Sequence, residues 1–363
     1  MNLDAGCRTT AMGIMPHSDI DRALELAFSL DIPFWPQLPK VDIREDMYVQ
    51  ASEHFPGVRV DQTTGKITLD RAAFAEELAA YAVEMTDPDF FRLTPEYSVV
   101  YHRFLDRRLG DFPAVRGQQI GPVSFGFKVV DDDNRPVIYD DEVRTILFDF
   151  MQRKANAQYR ELRERNANAF VWLDEPGLGW VFSGMTGYDD VRARQEYRSF
   201  LAGMEGPPAL HLCANVNLPY LLDLGIDILS FDAYQIGLMP RGYAAAVAAF
   251  IEAGGIISWG IVPVDSLSLS AETSETLAER LAGYWEVVAA SAGMPAARIA
   301  RQALLAPARC MLKDAGLVGA PGEKGAEAAV TDRRLVGREE RLVEQAFAIL
   351  GEVSRHLRDR YRL

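Results

Sequence analysis

Short apolar runs alternate with longer amphipathic stretches along most of the chain. Several runs are apolar at every position instead of every second one, which is typical of strands covered on both faces by helices. Runs joined by helix-length segments predict a parallel sheet with crossover helices, and eight of them would close a (β/α)8 TIM barrel. The predicted strands span residues 10–15, 32–35, 115–120, 169–174, 209–213, 226–231, 255–261 and 303–308.

Three stretches add to this repeating pattern. Residues 40–97 are too many for an ordinary loop between a strand and a helix. Within them, two apolar runs flank a Thr-Gly pair that is typical of a turn. We therefore predict a hairpin plus helix inserted after the second strand. Residues 140–166 predict a long amphipathic helix with a solvated charged face. Residues 333–363 predict a helical pair or one long helix on the outside of the barrel. We expect a single α/β domain over residues 1–363.

Composition limits the classes of protein to consider. A hydrophobic content of 48% with 25% charged residues is typical of a soluble globular protein. No apolar run is long enough to span a bilayer, and the chain begins without a secretory signal pattern. Its 3 cysteines argue for a reducing compartment, so we expect a cytoplasmic protein. A net charge of -14 disfavours nucleic acid and anionic membranes as partners.

A histidine and a cysteine stand two residues apart at the end of the fifth predicted strand. Residues two apart in a strand point to the same side, so His211 and Cys213 can face one ion. Cys310 follows the last predicted strand, and the carboxyl ends of barrel strands meet on one face. Nitrogen and sulfur donors favour zinc. On these residues alone, a buried thiol beside a hydrogen-bonded histidine remains the alternative.

Other strand ends carry further candidates. Asp174 and Glu175 could bind a substrate ammonium group, or could be an acidic pair favoured at a helix N-terminus. His17 follows the first predicted strand and is a catalytic candidate, although a lone histidine is more often a packed or surface residue. A second set could line a pocket for a large flat cofactor, although aromatic residues are more often core. These pocket candidates are Trp35, Gln37, Tyr234 and Trp259.

Five segments in this order resemble the catalytic barrel of the cobalamin-independent methionine synthases, whose superfamily includes uroporphyrinogen decarboxylase and zinc methyltransferases acting on coenzyme M. The segments are 119–123 (Gln-Ile-Gly-Pro-Val), 171–176 (Val-Trp-Leu-Asp-Glu-Pro), 211–213 (His-Leu-Cys), 226–232 (Ile-Asp-Ile-Leu-Ser-Phe-Asp) and 306–313 (Ala-Pro-Ala-Arg-Cys-Met-Leu-Lys). The resemblance covers the chain from about residue 115 to its end. It implies that His211, Cys213 and Cys310 bind zinc, that Asp232 is a fourth ligand, and that Asp174 holds a substrate amino group.

The chain also departs from the family pattern. Asp232 stands where the methionine synthases have glutamate, and residues 258–263 lack the histidine that protonates the leaving folate nitrogen. Because a methylcorrinoid donor does not need that acid, the departure favours methylcobalamin over methyltetrahydrofolate. The resemblance therefore implies a zinc-dependent methyltransferase acting on a thiol such as homocysteine, with a corrinoid protein as a candidate partner. A uroporphyrinogen decarboxylase-like enzyme and a non-catalytic barrel that binds a corrinoid or a thiol are the alternatives.

Overall fold

The computed structural model describes residues 3–184, 186–213, 216–310 and 333–363. Its centre is a seven-stranded, all-parallel sheet in the order β1-β10-β9-β8-β7-β6-β4. The strands are β1 (Arg8–Thr9), β2 (Val58–Val60), β3 (Ile67–Leu69), β4 (Val115–Ile120), β5 (Val130–Asp131), β6 (Ala169–Asp174), β7 (Pro208–Leu212), β8 (Ile228–Asp232), β9 (Ile256–Val262) and β10 (Ala303–Pro307). The expected α/β class with a parallel sheet is thus present.

Helices connect the strands and cover the sheet. The helices are α1 (Ile20–Phe28), α2 (Met47–Ser52), α3 (Arg71–Glu84), α4 (Val99–Leu105), α5 (Pro122–Lys128), α6 (Asp141–Arg163), α7 (Leu178–Phe182), α8 (Asp190–Ala202), α9 (Leu218–Leu222), α10 (Arg241–Glu252), α11 (Ser266–Ala271), α12 (Ser274–Ala292), α13 (Ala296–Arg301) and α14 (Arg333–Tyr361). Short 3-10 turns lie at Ile43–Glu45, Pro88–Phe91, Leu109–Asp111, Val137–Tyr139 and Tyr234–Ile236. Within the described ranges, no helix is long and apolar enough to cross a membrane.

The second predicted strand, at residues 32–35, is not a strand. Pro33 and Pro36 lack the backbone N–H groups that a continuous ladder needs. This segment instead makes single parallel bridges, one between Phe34 and Arg116 of β4 and one between Gln37 and Ile14. The backbone N–H of Gln37 donates to the carbonyl of Gly13 at 2.8 Å. The segment therefore contacts the chain at both edges of the seven-stranded sheet.

The first predicted strand, at residues 10–15, is also misplaced. The structure has β1 at Arg8–Thr9, paired with β10. The N–H of Thr10 still donates to Leu305, but Met15 donates to Gln37. The chain changes partner over these residues, so they do not form one continuous ladder.

Residues 40–97 contain an antiparallel pair, β2 with β3, followed by α3. β3 also pairs in parallel with β5, giving a second sheet of three strands. At the other end of the chain, α14 is one helix that packs against α12, β10 and β1. The hydroxyl of Ser354 on α14 donates to the carbonyl of Cys7 at 2.7 Å, which ties the helix to the start of the sheet.

The two faces of the curved sheet have different cores. The outer face packs against the helices and includes Trp259 and Leu173. The inner face has its own small apolar cluster, formed mainly by alternate residues of the strands. Its strand members include Phe170, Trp172, Ala209, Ile228, Leu304 and Ala306, and Cys310 packs against it. Beyond this cluster the inward-facing positions become polar, and the candidate site lies there.

Candidate functional site

A row of polar side chains crosses four adjacent strands of the sheet. Asp174 of β6 is aligned with His211 of β7, His211 with Ser230 of β8, and Ser230 with Ser258 of β9. All four residues are buried. Because aligned residues on parallel strands face the same side, these groups share the inner face of the sheet near its carboxyl edge. That edge is where α/β barrels build their sites.

His211 has one ring nitrogen engaged and one unused. Its Nδ1 lies 3.0 Å from the hydroxyl oxygen of Ser230, whereas its buried Nε2 has no hydrogen-bond partner among the described residues. The ring stacks on Trp172 with 5.8 Å between centroids and 19° between planes. Burial, together with the charge of Arg116, lowers the pKa of His211 from 6.5 to about 3. The imidazole is therefore neutral, the form that coordinates a metal.

The two predicted cysteine ligands lie near this row. Cys213 is half-buried, and burial together with the negative charge of Asp174 raises the pKa of its thiol from 9.0 to about 11. The pKa of Cys310 is raised well above 9.0 by burial, then by the charges of Cys213 and Asp174. Each thiol is held in its neutral form by these surroundings. A cation that binds both would reverse this, because it favours the thiolate.

The donor atoms of His211, Cys213 and Cys310 are of the kind that zinc prefers, but their side chains are not arranged around one ion. The unpartnered Nε2 of His211 and two nearby thiols make a nitrogen and sulfur donor set that fits zinc. Over residues 3–184, 186–213, 216–310 and 333–363, however, no group of three or more His, Cys, Asp or Glu side chains is arranged to hold a metal ion. Cys213 and Cys310 each border residues outside those ranges. Metal binding would require these side chains to rearrange.

Asp232, the predicted fourth ligand, has other partners. Its Oδ2 accepts from Nε of Arg309 at 2.7 Å, and its Oδ1 accepts from the backbone N–H of Gln235 at 3.2 Å. Burial is the largest influence on the carboxyl and raises its pKa, while the Arg309 contact opposes that rise. Both carboxylate oxygens of Asp232 are thus engaged by the protein.

Asp174 shares the inside of the sheet with a buried arginine that the sequence analysis missed. Arg116 is fully buried, and its guanidinium lies 4.0 Å from the centre of the Trp172 ring. It donates to neutral acceptors, including Gln118 Oε1 at 3.0 Å and the carbonyl of Gly117 at 3.1 Å. Burial lowers the pKa of Arg116 to about 9, and burial raises the pKa of Asp174 to about 7 against the opposing effect of Arg116.

Glu175 differs from its neighbour, because its carboxylate is closed into a local hydrogen-bond network. It accepts from the backbone N–H of Val123 at 3.0 Å and of Ser124 at 2.8 Å, and from the Ser124 hydroxyl at 2.6 Å. The Ser124 hydroxyl in turn accepts from the N–H of Gly177 at 2.9 Å. Glu175 therefore fastens the start of α5 to the end of β6 and is not open to a ligand.

Residues 40–97 also supply a side chain that the sequence analysis missed. The half-buried Tyr48 lies on α2, and its pKa is raised by burial and by nearby negative groups that include Glu175, Asp174 and Cys213. Its ring stacks with Phe125 at 6.4 Å. The phenol is therefore within electrostatic reach of Asp174 and Glu175.

His17, the remaining catalytic candidate, packs near the C-terminal helix. It is buried, and neither ring nitrogen has a hydrogen-bond partner in the described part of the chain. Burial lowers its pKa, while Glu340 and Glu344 of α14 oppose that effect. Arg22 of α1 and Asp19 just before it are the other charged groups that act on His17, so none of these groups belongs to the row that contains His211.

The four pocket candidates do not come together at the strand ends. Trp259 is fully buried against Trp285 of α12 at 6.1 Å, on the outer face of the sheet. Trp35 donates from Nε1 to Gln158 Oε1 of α6 at 3.3 Å, and Gln37 donates to Gln50 Oε1 of α2 at 2.8 Å. Trp35 and Gln37 line a small cavity of about 20 Å³ between the sheet, α2 and α6.

Tyr234 follows β8 and is half-buried. It donates to Glu272 at 3.0 Å, and Arg280 lies over its ring at 4.5 Å. Tyr234 stands two residues after Asp232.

No protein-family model matches the sequence, and no curated protein matches it. Solved structures that are similar in chain path include a methionine synthase and a putative methionine synthase. A B12-independent methionine synthase from Shewanella sp. W3-18-1, in complex with selenomethionine, has 14% sequence identity and a TM-score of 0.42, with 68% of this chain and 63% of that one covered. The chain thus spans less than two thirds of that protein. A putative vitamin-B12 independent methionine synthase from Listeria monocytogenes has 12% identity and a TM-score of 0.47, with 91% of this chain and 84% of that one covered.

Proposed function

We propose that this protein is a zinc-dependent methyltransferase that methylates a thiol, with homocysteine as the acceptor. The observation that carries the proposal is the state of His211, whose Nδ1 is fixed by Ser230 while its buried Nε2 has no partner among the described residues. Metal-binding histidines have this arrangement, in which the second ring nitrogen is held by another group. The thiols of Cys213 and Cys310 supply the soft donors that zinc prefers.

The reaction forms a sulfur–carbon bond, breaks the bond between the methyl group and its donor, and releases the thiol proton. When bound, zinc supplies the Lewis acidity that lets the thiol react as a thiolate at neutral pH. Asp174 binds the ammonium group of the amino acid, and its pKa of about 7 would fall once that cation is adjacent. Tyr48 donates to the substrate, and Arg116 keeps a positive charge beneath the site.

The donor in this proposal is a methylcorrinoid, with methyltetrahydrofolate as the second choice. Residues 258–263 contain no histidine, and Ser258 and Gly260 occupy the inward positions of β9. A corrinoid does not require protonation by such a residue. A corrinoid protein that presents its cofactor to the carboxyl edge of the sheet is the corresponding partner.

We also interpret the parallel sheet as a (β/α)8 barrel whose second strand is reduced to bridges. The contacts of Phe34 with Arg116 and of Gln37 with Ile14 support this interpretation. An inner face that is closed in this way would keep water from Arg116 and His211 and strengthen the electrostatic interactions of both groups.

The test is metal content followed by methyl transfer. We expect about one zinc per chain after purification without chelators, and loss of the zinc in Cys213→Ser. Cys7→Ser is the matched control, because Cys7 is buried at the opposite end of the sheet and should not affect zinc. Homocysteine is then assayed with methylcobalamin and with methyltetrahydrofolate. A wild-type protein without zinc would contradict the proposal, and zinc binding without turnover would favour the binding-protein alternative.

A further inference from the structure

The ion pair between Asp232 and Arg309 sits beside the proposed zinc ligands. Asp232 ends β8, and Arg309 directly precedes Cys310 after β10. The side chain of Asp232 is 3% exposed and that of Arg309 is 40% exposed, with 2.7 Å between Oδ2 and Nε. β7 and β8 align Leu212 with Phe231, so the next residues along the two chains, Cys213 and Asp232, are neighbours at the carboxyl edge of the sheet. The pair is therefore close to at least one of the sulfur donors.

The strand between the two members of the pair carries a glycine. Gly260 of β9 is aligned with Asp232 on one side and with Ala306 of β10 on the other. A Cβ at Gly260 would lie 2.6 Å from the carbonyl oxygen of Phe231 and 3.0 Å from Cα of Ala308. No side chain can stand there without moving backbone, so the backbones of β8 and of the segment after β10 approach each other closely at Gly260.

We propose that Arg309 keeps Asp232 off the metal, so that His211, Cys213 and Cys310 leave one coordination position for the substrate thiol. This inference rests on the proposed function and deepens it. Both oxygens of Asp232 already accept hydrogen bonds, one from Arg309 and one from the backbone of Gln235.

Three protein ligands with an open position is the arrangement of catalytic zinc sites, whereas four protein ligands make a closed structural site. A free carboxylate beside two thiolates and an imidazole would complete a closed set. Arg309 would prevent this by binding the carboxylate and neutralising its charge. It is thus a positioning residue, which acts through Asp232 and not on the substrate.

The experiment measures metal binding by four proteins: wild type, Arg309→Met, Asp232→Asn and the double variant. We expect Arg309→Met to bind zinc about tenfold more tightly in chelator competition, because Asp232 becomes free to coordinate. Its cobalt-substituted form should show a changed d–d absorption spectrum. Asp232→Asn should bind zinc within about twofold of wild type, and the double variant should return to the wild-type affinity and spectrum.

The double variant separates coordination from simple charge removal. If it still binds zinc more tightly than wild type, loss of the arginine charge alone explains the change and the inference is wrong. A tenfold loss in Asp232→Asn would show that Asp232 is already a ligand, which overturns the inference without any need for the arginine variant to fold. An unchanged Arg309→Met affinity would overturn it as well. A wild-type protein that binds no zinc would instead remove the proposed function itself.

Discussion

The hydroxyl oxygen of Ser230 lies 3.0 Å from Nδ1 of His211, across the paired strands β7 and β8. This contact orients the imidazole and leaves Nε2 without a partner in the described ranges, although that nitrogen is buried. A buried nitrogen without a partner costs free energy of about 1–3 kcal/mol unless something binds it. The relationship thus links the register of two strands to the availability of one donor atom.

Ser230→Ala tests this link. Without the hydroxyl, the ring loses its orientation, and we expect zinc affinity to fall about tenfold while the fold is retained. Ser258→Ala is the matched control, because the buried Ser258 hydroxyl is in the same row and has no hydrogen-bond partner among the described residues. Chelator competition and thermal unfolding measure both variants. Equal zinc affinity in Ser230→Ala and wild type would show that Ser230 does not support a ligand.

Glu175→Gln tests the assignment of Glu175 to a structural network. The two carboxylate oxygens accept from three donors on Val123 and Ser124, and an amide offers only one acceptor oxygen. At least one donor is left unpaired, so we expect the free energy of unfolding at pH 8 to fall by about 1–3 kcal/mol. The exposed Glu84→Gln is the control and should unfold like wild type. If Glu175→Gln is as stable as wild type and instead weakens substrate binding, Glu175 faces the ligand.

Some of this arrangement was predictable from the sequence because it depends on local rules. Apolar runs indicate covered strands, and a spacing of two places His211 and Cys213 on one side of the chain. Strand periodicity also bears on the placement of Trp259. Ser258 and Gly260 alternate with Trp259, so a polar inner face places Trp259 on the outer face. The prolines at 33 and 36 likewise indicated an interrupted second strand.

The rest depended on contacts between distant segments. The pairing of Arg309 with Asp232 joins residues 77 positions apart and requires β8, β9 and β10 to be neighbours. Tyr48 lies near Asp174 and Glu175 only because α2 packs against β4, and nothing in its local sequence indicates that. Arg116 lies within a predicted strand, where its burial depends on the rings of Phe34 and Trp172 closing around it. Sequence spacing carries no information about such partners.

Trp259→Phe tests the placement of Trp259 in the core. Its ring fills the layer between β9 and α12, so the smaller ring should leave a cavity and lower the free energy of unfolding by about 1–3 kcal/mol. The KM for the thiol should not change, because the ring does not face the site. Trp285→Phe is the matched control from the same contact and should behave alike. A raised KM in Trp259→Phe alone would return this residue to the pocket.

Asp174→Asn should change how stability depends on pH in the metal-free protein. Burial raises the pKa of Asp174 from 3.8 to about 7, so the folded state binds its proton more tightly than the unfolded state. The stability that this group contributes is therefore complete below about pH 4 and is lost as the pH rises to about 7. Asparagine has no proton to lose, so the stability of the variant relative to wild type should increase over that interval, by at most about 1.4 kcal/mol per pH unit.

Urea unfolding of the chelated Asp174→Asn and wild-type proteins, at intervals from pH 4 to 8, measures this difference in stability. The exposed Asp133→Asn is the control, and its stability should follow that of wild type at every pH. If the difference in the free energy of unfolding between Asp174→Asn and wild type stays constant with pH, Asp174 keeps its charge when buried. Arg116 would then stabilise that charge enough to offset the effect of burial.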